Sequence, residues 1–377
     1  MRKPRRLLTV ARWPLGGIRT YMRYVYGRLG GDWRVTILAA DTQESAALRE
    51  DAAALGAELI LSRPTAASFV SRIARTLAER RHDLIQSQGF ISAIAACLAN
   101  VPFKKPHVLT VHGVLEERFL RGVRGRLKRL ATNTAIRSVD TVYGVGQDIL
   151  DHLREEVPGL AGSRARQVAI LNGIEPEMFL DPGNPGAFRA RNDLSPDVFL
   201  FGFLGRFMPQ KGFNKIIAAL AKLSADGAAK RDYRLVAVGS GDYLDWYRKT
   251  AHEQGVAERI VFLPFQRDVA EVYRDLDAVV MPSNWEACPL QPMEALVSGV
   301  PLIVSDCIGL REVVRDTPAI VVPGGEPEGL ARAMDELLSG HGSEAFADFR
   351  HEAARRFDVG RTAESVKRLF DDMAGRA

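Results

Sequence analysis

Two carboxylates and two cations in the second half of the chain have the types and spacing of a binding site. Glu286 and Glu294 are eight positions apart and flank the start of a predicted helix. One carboxylate can accept hydrogen bonds from the hydroxyls of a sugar, and the other can bridge a vicinal diol such as that of ribose. Arg206 and Lys211 lie in a loop after another predicted strand, where a planar fork and a point charge can hold a pyrophosphate. Taken singly, each residue also fits a structural role, as a helix-dipole partner or a solvated charge.

The first half of the chain offers two further candidates. Gly16 and Gly17 follow the first predicted strand and allow the backbone to approach a ligand closely. A tight turn that binds no ligand could have the same sequence. His112 ends another predicted strand, and it is functional if it faces a substrate and structural otherwise. The residues alone leave both alternatives open.

The sequence contains no convincing pattern of metal ligands. Asp275-Leu276-Asp277 has the D-x-D spelling that metal-dependent sugar transferases use, but it joins a predicted helix to a predicted strand, which favours a capping role. Elsewhere no cluster of His, Asp and Glu has the spacing of metal ligands. The phosphate-binding P-loop and the G-x-S-x-G elbow are also absent from the sequence. We therefore expect no metal ion.

The elements that must position these residues are short apolar runs that alternate with helical stretches. The runs predict strands at residues 7–11, 35–39, 59–61, 84–86, 108–112, 141–143, 168–171, 198–204, 234–238, 260–263, 278–281, 302–305 and 320–322. Spacings of roughly 20–30 residues predict βαβ units in two parallel sheets, hence two doubly wound domains. Proline and glycine punctuate residues 175–196, which we interpret as the linker. In such domains a ligand binds in a cleft at the carboxyl ends of the strands.

Length and composition fit a protein of this kind. The chain has 377 residues, 46% of them hydrophobic and 26% charged, which suits two domains and excludes a disordered or collagen-like chain. The longest apolar stretch, residues 90–99, has about half the length that a membrane span needs. Three cysteines without C-x-x-C spacing fit a reducing compartment. We expect a soluble cytoplasmic protein.

The net charge of +5 hides an asymmetry between the two halves. Residues 1–180 hold 27 Lys and Arg against 17 Asp and Glu, or +10, whereas residues 181–377 hold 24 against 29, or −5. Residues 118–137 contain no acid, and four apolar residues recur there at helical spacing: Leu120, Val123, Leu127 and Leu130.

We interpret this basic run as an amphipathic helix that lies on anionic lipid headgroups. One alternative is a solvated helix that packs its leucines on its own domain. Another is a nucleic-acid surface, but the run lacks the interleaved aromatic residues typical of one. The surface residues of the membrane or acceptor interpretation are Arg118, Arg121, Arg124, Lys128 and Arg129.

The motifs combine into a pattern that resembles a known family. They are Gly205-Arg206, Lys211-Gly212, Pro282-Ser283-x-x-Glu286, Glu294-Ala295 and Ser298-Gly299-Val300-Pro301, with Gly16-Gly17, His112 and Leu171-Asn172-Gly173-Ile174 before them. In this order they resemble the retaining GT-B glycosyltransferases of family 4, and the resemblance covers residues 7–370. It implies an α/β fold of two Rossmann-like, doubly wound domains that face a central cleft. Residues 1–180 would bind the acceptor, with residues 357–377 packing back on them as a helix, and residues 181–356 would bind the nucleotide sugar.

The resemblance also implies a role for each site residue. Arg206 and Lys211 would hold the donor pyrophosphate and neutralise the leaving group without a metal ion. Glu286 would contact the donor sugar and Glu294 the ribose hydroxyls, while His112 would lie near the transferred sugar. The catalytic residues would thus be Glu286, His112, Arg206 and Lys211. Further donor contacts would come from Gly16 and Gly17, the main chain of Leu290 and Gln291, and, beside the base, Phe265 and Gln266.

By the same resemblance, the reaction transfers a hexosyl unit with retained configuration. The donor would be a UDP- or GDP-linked sugar, and the acceptor a saccharide or lipid-linked saccharide of cell-surface polysaccharide or lipopolysaccharide synthesis. Because no residue is an obvious covalent nucleophile, we favour same-face attack, with the departing phosphate oxygen taking the acceptor proton.

The expected partners are the nucleotide sugar, the acceptor and an anionic membrane surface on the cytoplasmic side. We expect no nucleic-acid partner and no cofactor besides the donor. Two alternatives stay open. One is a nucleotide-sugar epimerase of GT-B architecture, which needs acid and base residues in the cleft, and the other is a non-catalytic sugar-nucleotide-binding partner.

Overall fold

The computed structural model describes residues 3–14, 16–43, 45–115, 122–225 and 231–375, with the main chain alone at residues 123 and 124. The chain divides into two compact units, Met1–Asn172 with Val359–Ala377, and Gly173–Asp358. Each unit contains one parallel sheet with helices packed on it, so the predicted fold class is confirmed.

The first unit is built on a parallel sheet of seven strands. They are β1 (Arg5–Ala11), β2 (Trp33–Ala40), β3 (Glu58–Ser62), β4 (Leu84–Gln88), β5 (His107–Val111), β6 (Thr141–Gly144) and β7 (Arg166–Ala169). Their order is β3-β2-β1-β4-β5-β6-β7. β4 and β5 are buried along their whole length, as strands covered on both faces must be. The order reverses between β1 and β4, which is the switch point of this sheet.

Helices of the first unit connect these strands. They are α1 (Gly17–Tyr26), α2 (Ser45–Ala54), α3 (Ala66–Ala78), α4 (Phe90–Asn100), α5 (Gly122–Ser138), α6 (Gln147–Glu156) and α7 (Pro158–Ala161), with a short 3₁₀ turn at Gly30–Asp32. The C-terminal helix, Val359–Ala374, also belongs to this unit. Its Phe370 is fully buried and stands edge-on to Trp33, with 5.7 Å between ring centroids. Burial of such a side chain contributes about 1.5–3 kcal/mol, which fixes the helix to the sheet.

The second unit is built on a parallel sheet of six strands. They are β8 (Phe199–Leu204), β9 (Tyr233–Val238), β10 (Ile260–Leu263), β11 (Ala278–Met281), β12 (Leu302–Ser305) and β13 (Ile320–Val322). Their order is β10-β9-β8-β11-β12-β13. The order reverses between β8 and β11, so the loops that follow these two strands meet at the switch point.

Helices of the second unit include two in the stretch predicted as the linker. The set is α8 (Pro176–Leu180), α9 (Ala187–Arg191), α10 (Phe213–Ala225), α11 (Leu244–Glu253), α12 (Val269–Asp275), α13 (Gln291–Ser298), α14 (Leu310–Val314), α15 (Pro327–Leu338) and α16 (Glu344–Arg356), with 3₁₀ turns at Pro209–Lys211, Ala257–Arg259 and Pro323–Gly325. The interpretation of residues 175–196 as a linker is wrong, because Phe179 and Phe188 are buried and fix α8 and α9 within the unit.

An aromatic cluster supports the loop that follows β8. Phe203, Phe207 and Phe213 are almost fully buried in one core cluster. Phe207 stacks on Phe203 at 5.8 Å and meets Phe213 edge-on at 5.3 Å between ring centroids. Such pairs add about 0.5–1.5 kcal/mol to the burial of their area. Because Phe207 lies inside the loop itself, the cluster holds the polar residues around it in place.

Candidate active site

The switch point of the second sheet places two loops side by side. β8 and β11 are hydrogen-bonded neighbours, although two strands separate them in the sequence. The loop after β8 carries Arg206 and Lys211, and the loop after β11 carries Glu286 before α13 begins. Ligands of open α/β sheets bind beyond the carboxyl ends of the strands at such points. This edge is therefore the candidate site of the second unit.

Lys211 and Glu286 form an ion pair at this edge. Lys211 Nζ lies 2.7 Å from Glu286 Oε1, and Ser283 Oγ donates to the same oxygen at 2.7 Å. Glu286 is 6% exposed, and a buried carboxylate needs such partners because removing its charge from water is costly. Within the described part of the chain, Glu286 Oε2 accepts no hydrogen bond. That oxygen is left for a ligand.

Two glycines bring the loops together backbone to backbone. Gly212 and Gly309 adopt φ values of 67° and 75°, which favour glycine. A Cβ on Gly212 would collide with the carbonyl oxygen of Pro282, and one on Gly309 would collide with that of Glu286. The close approach keeps Lys211 within reach of Glu286.

Glu294 lies in the first turn of α13, where a tyrosine holds it. Tyr273 OH donates to Glu294 Oε2 at 2.9 Å. Burial raises the pKa of Glu294 to about 7, although the hydrogen bond from Tyr273 and the charge of Lys211 act in the opposite direction. Burial also raises the pKa of Tyr273 well above its ordinary value. Near pH 7 the carboxyl group of Glu294 therefore exchanges between its protonated and ionised forms.

Arg206 and the start of α13 present donors without acceptors. Arg206 is exposed and has neither an ion pair nor a hydrogen bond with the residues that the structure describes. Leu290 is the N-cap of α13 and Gln291 its first residue; amides of a first turn have no acceptor inside the helix and favour an anion. The Gln291 side chain is engaged elsewhere, because its Nε2 donates to the carbonyl of Leu204 at 2.8 Å. This bond ties α13 to the end of β8.

Phe265 and Gln266 follow β10, the outermost strand on one side of the sheet. The Phe265 ring is 70% exposed, and Gln266 Nε2 donates to the carbonyl of Pro264 at 3.0 Å. Since β9 lies between β10 and β8, these strands are roughly 10 Å apart. The structure places the two residues at the same carboxyl edge as Lys211 and Glu286 but does not bring them into contact with that pair.

The glycine pair of the first unit opens α1. Gly16 is the N-cap of this helix and has a φ of 53°, and its carbonyl accepts the amide of Thr20 at 3.1 Å. A Cβ on either Gly16 or Gly17 would meet no atom of the described residues within 4 Å. Packing within the protein therefore does not require glycine at these two positions, and the space beside them is open.

His112 follows β5 and is held by neutral partners. Its Nε2 lies 2.5 Å from Gln88 Oε1, and its ring stands edge-on to Tyr21 at 4.9 Å between ring centroids. Gln88 Nε2 donates to Tyr26 OH at 2.7 Å, so the Gln88 oxygen accepts from His112 Nε2, and Nδ1 is an acceptor without a hydrogen bond among the described residues. Burial lowers the pKa of His112 to about 3. The ring is therefore neutral at physiological pH.

Of the two aspartates of the D-x-D sequence, Asp275 has the predicted capping role, whereas Asp277 binds an arginine side chain and the amide of a strand residue. Asp275 accepts the amides of Gly186 at 2.6 Å and Arg189 at 2.9 Å, at the start of α9. Asp277 Oδ2 accepts Arg189 Nη2 at 2.6 Å and the amide of Leu200 at 2.7 Å. Among the described residues, no group of three or more His, Cys, Asp and Glu is arranged to hold a metal ion.

The basic run lies partly outside the described residues. Arg118 and Arg121 belong to the part that is not described, and so does the side chain of Arg124. Lys128 and Arg129 are exposed on α5. Lys128 and Arg129 belong to the first unit, whereas Lys211 and Glu286 belong to the second.

The leucines of α5 face solvent. Leu127 and Leu130 are 63% and 64% exposed, so for these two residues the interpretation in which they pack on their own domain is wrong, while Leu120 and the side chain of Val123 lie outside the described residues. The packed face of α5 is instead formed by Thr132, Ala135 and Ile136, which are buried. Throughout the described ranges, no helix has both the length and the apolar character to cross a membrane.

Both units match family models of glycosyltransferases. Residues 16–173 match the model "Glycosyl transferase 4-like domain", and residues 186–356 match the model "Glycosyl transferases group 1". Together these two models span most of the chain, which therefore belongs to the glycosyltransferases. The first match falls on the first unit and the second match on the second unit.

Named relatives of this glycosyltransferase support the same assignment. It is 30% identical over 197 residues to the uncharacterized glycosyltransferase MJ1607 of Methanocaldococcus jannaschii, a match that covers 50% of each chain. It is 28% identical over 319 residues to the D-inositol 3-phosphate glycosyltransferase of Stackebrandtia nassauensis, covering 78% of this chain and 69% of that one. The chain thus spans half the length of the first relative and about two thirds of the second.

Solved structures show the same fold. The crystal structure of Anabaena Alr3699/HepE in complex with UDP and glucose superposes with a TM-score of 0.83 at 18% identity. The superposition covers 98% of this chain and 100% of that one. At this identity the likeness establishes the GT-B fold of the glycosyltransferase and leaves its substrates to be argued from the site.

Sequence reasoning does not predict the contacts through which three residues of the glycosyltransferase hold the candidates in place. Tyr273 bonds to Glu294, Gln88 bonds to His112, and Ser283 bonds to Glu286. Ser283 lies within the quoted motif, three positions before Glu286, and that spacing was the only pointer to it. Tyr273 and Gln88 come from other elements, α12 and β4, and no local pattern connects them with their partners.

Proposed function

We propose that this glycosyltransferase moves a hexosyl unit from a UDP- or GDP-linked sugar, with retention of configuration and without a metal ion. The acceptor is a saccharide or lipid-linked saccharide of cell-surface polysaccharide or lipopolysaccharide synthesis. The observation that carries the proposal is the Lys211–Glu286 ion pair at the switch point of the second sheet, on the same loop as Arg206, which has no ion pair with a described residue.

Arg206 and Lys211 suit the diphosphate of the donor. Two cations match the two negative charges of a nucleotide-sugar diphosphate, and they neutralise the nucleoside diphosphate as it departs. The ammonium group of Lys211 has three donors, of which Glu286 takes one at 2.7 Å. The others stay available for phosphate oxygens. The amides of Leu290 and Gln291 add donors at the start of α13.

Glu286 suits the donor sugar. Its Oε1 is occupied by Lys211 and Ser283, which fix the carboxylate in one orientation. Its Oε2 then accepts a hydroxyl of the hexose. The pair therefore joins sugar and diphosphate recognition in one rigid unit, and it orients the bond that breaks.

Glu294 suits the ribose of the nucleotide. A carboxylate can accept hydrogen bonds from both hydroxyls of a vicinal diol. The hydrogen bond from Tyr273 at 2.9 Å fixes the orientation of Glu294 before the nucleotide arrives. Phe265, exposed at the same carboxyl edge, offers a face on which a base can stack.

The transfer step needs no protein nucleophile. The bond between the anomeric carbon and the diphosphate oxygen breaks, and the acceptor oxygen bonds to that carbon on the same face. The acceptor proton passes to the departing phosphate oxygen. The residues supply positioning and charge stabilisation. Neutral His112 contributes an acceptor, Nδ1, for a sugar hydroxyl, while Gly16 and Gly17 leave space for the phosphate.

The basic helix α5 suits an acceptor at a membrane. Leu127 and Leu130 are exposed next to Arg126 and Arg129, which are exposed too. Exposed leucines between cations are typical of helices that lie on anionic headgroups. The proposal therefore places the enzyme peripherally on the cytoplasmic face of the cell membrane.

The experiment that tests the transferase proposal is nucleotide release from a panel of UDP-, GDP- and ADP-sugars, with and without EDTA. Slow release from one donor that EDTA does not suppress, accelerated by an acceptor, supports the proposal. Conversion of one nucleotide sugar into another would assign the site to an epimerase. Binding of nucleotide sugars without any turnover, with acceptors present, would assign it to a non-catalytic partner.

A further inference from the structure

A basic groove lies between the end of β3 and the face of α3 in the first unit. Its volume is about 700 Å³. Among the described residues, its lining contains three arginines and four hydroxyl side chains but no acid. The lining residues are Leu61, Ser62, Arg63, Thr65, Ala67, Ser68, Ser71, Arg72 and Arg75. We name this feature the arginine groove.

The helical repeat explains why these side chains share one face. Ser68, Arg72 and Arg75 are spaced four and three residues apart, so they lie on one side of α3. The opposite side is buried through Phe69 and Ile73, which belong to the core of the unit. The buried face fixes the rotation of α3 and directs the arginines into the groove.

The arginines of the groove are without anionic partners. Arg63, Arg72 and Arg75 make neither an ion pair nor a hydrogen bond from their guanidinium groups within the described part of the chain. Elsewhere in the unit, Arg81 is paired with Glu58 at 2.6 Å, and Arg19 is paired with Asp51. Like charges three residues apart on a helix destabilise it slightly. An anion in the groove would remove that repulsion.

The position of the groove places it at the ligand edge of the sheet. Ser62 ends β3 at the carboxyl edge, where β1 also ends. Arg12, which follows β1, donates from Nη2 to the carbonyl of Pro64 at 3.0 Å and joins the two ends. The chain after Arg12 leads to Gly16 and α1. The arginine groove and the glycine turn therefore open on the same edge of this unit.

We propose that the arginine groove binds a phosphate monoester carried by the acceptor. Planar guanidinium groups bind phosphate oxygens in pairs, and Ser68 and Ser71 add hydroxyl donors. The statement that the acceptor carries this phosphate rests on the proposed transferase function. Binding of a phosphate group in the groove does not depend on that function, so the phosphate site and the transferase function can be disproved separately.

The test is arginine protection in the full-length protein. The protein is treated with phenylglyoxal, and the modified arginines are mapped by mass spectrometry with and without inorganic phosphate, glucose 6-phosphate or glucose. Vesicles of phosphatidylglycerol and phosphatidylcholine form a separate arm. Because mass spectrometry identifies each modified arginine, protection of the arginine groove is distinguished from protection of Arg206. Titrations with glucose 6-phosphate then compare the wild type with Arg72→Gln/Arg75→Gln and with Arg49→Gln, an exposed control on α2.

We expect phosphate and glucose 6-phosphate, but not glucose, to protect Arg63, Arg72 and Arg75. The double variant should weaken the site-resolved binding at least tenfold, and Arg49→Gln should leave it unchanged. If neither inorganic phosphate nor glucose 6-phosphate reduces the modification of these three arginines, the proposal is overturned. Protection by the anionic vesicles alone would also overturn it, because the groove would then bind a lipid surface. Neither readout requires turnover, so a failed transferase assay leaves this test valid.

Discussion

The two units hold their candidate residues by opposite electrostatic means. In the second unit, Lys211 and Glu286 are opposite charges in direct contact, and Glu286 is nearly buried. In the first unit, His112 is neutral and bonded to the side-chain amide of Gln88. A buried charge left without its partner costs several kcal/mol, whereas a lost neutral hydrogen bond costs about 0.5–1.5 kcal/mol. Substitutions in the two units should therefore have unequal effects.

The largest effect is expected for Lys211→Ala. This change removes one cation from the donor diphosphate and leaves Glu286 buried without its partner, so turnover should fall by roughly a hundredfold or more. The measurement is the rate of nucleotide release from the preferred donor. Lys222→Ala, which removes a surface lysine of α10 paired with Glu328, is the matched control. Near-normal turnover in a folded Lys211→Ala protein would contradict the diphosphate assignment.

The two glutamates should separate catalysis from binding. Glu286→Gln removes the charge that holds Lys211 and orients the sugar, so it should lower kcat by about a hundredfold with little change in donor KM. Glu294→Gln should mainly raise donor KM, by about tenfold, because one charged hydrogen-bond acceptor of the ribose is lost. Steady-state measurements of kcat and donor KM in both variants test these two predictions. The reverse ranking would show that the two roles are exchanged.

The affinity for the donor should depend on pH through Glu294. Its pKa is raised to about 7, so the carboxylate that accepts the ribose hydroxyls is present above pH 7 and is lost below it. Donor affinity should therefore fall as the pH decreases from 8 to 6, by at most about tenfold per unit below the pKa. A nucleotide sugar is a suitable ligand because its diphosphate does not titrate in this range. Titrations at three pH values should show this slope in the wild type, and its persistence in Glu294→Gln would contradict the assignment.

A smaller effect is expected at His112. Because burial lowers its pKa to about 3, the ring stays neutral from pH 5 to pH 8 and should add no step to the pH–rate profile. His112→Gln should reduce turnover by about tenfold, in keeping with the loss of one neutral contact. Profiles of both proteins should have the same shape. A step near pH 6.5 in the wild type that disappears in the variant would show that His112 titrates.

The smallest effect is expected at the surface of α5. Leu127→Ser/Leu130→Ser should weaken binding to vesicles that contain phosphatidylglycerol by several-fold, since each exposed leucine can bury apolar area in the headgroup region. Val321→Ser, at another exposed apolar residue, is the control. Sedimentation with vesicles at low and high salt measures the effect. Equal sedimentation of wild type and double variant would contradict a membrane role for these leucines.

Local pattern was sufficient to predict the sheets. Buried parallel strands are continuous apolar runs, so every predicted run overlaps one of the strands β1 to β13. The same logic failed at residues 175–196, where prolines and glycines indicated a linker. Phe179 and Phe188 in that stretch are buried, and Phe179 meets the ring of Tyr273 edge-on, a kind of contact that tertiary packing sets.

The site was only partly predictable for a related reason. Glu286 and Lys211 are 75 positions apart, and their pairing depends on β8 and β11 becoming neighbours. The motif spacing pointed to both residues but gave no reason for their contact. Likewise, the helical spacing of Leu127 and Leu130 predicted a common face, but whether that face packs or stays exposed depends on the neighbouring helix.

A calorimetric titration of UDP and GDP into the full-length protein in EDTA tests directly whether Arg206 and Lys211 hold the donor diphosphate. We expect one of the two nucleotides to bind without a metal ion. Its affinity should be at least about tenfold lower in Arg206→Ala and in Lys211→Ala, and unchanged in Lys222→Ala. Equal affinities in all four proteins would contradict the claim that these two cations hold the donor diphosphate.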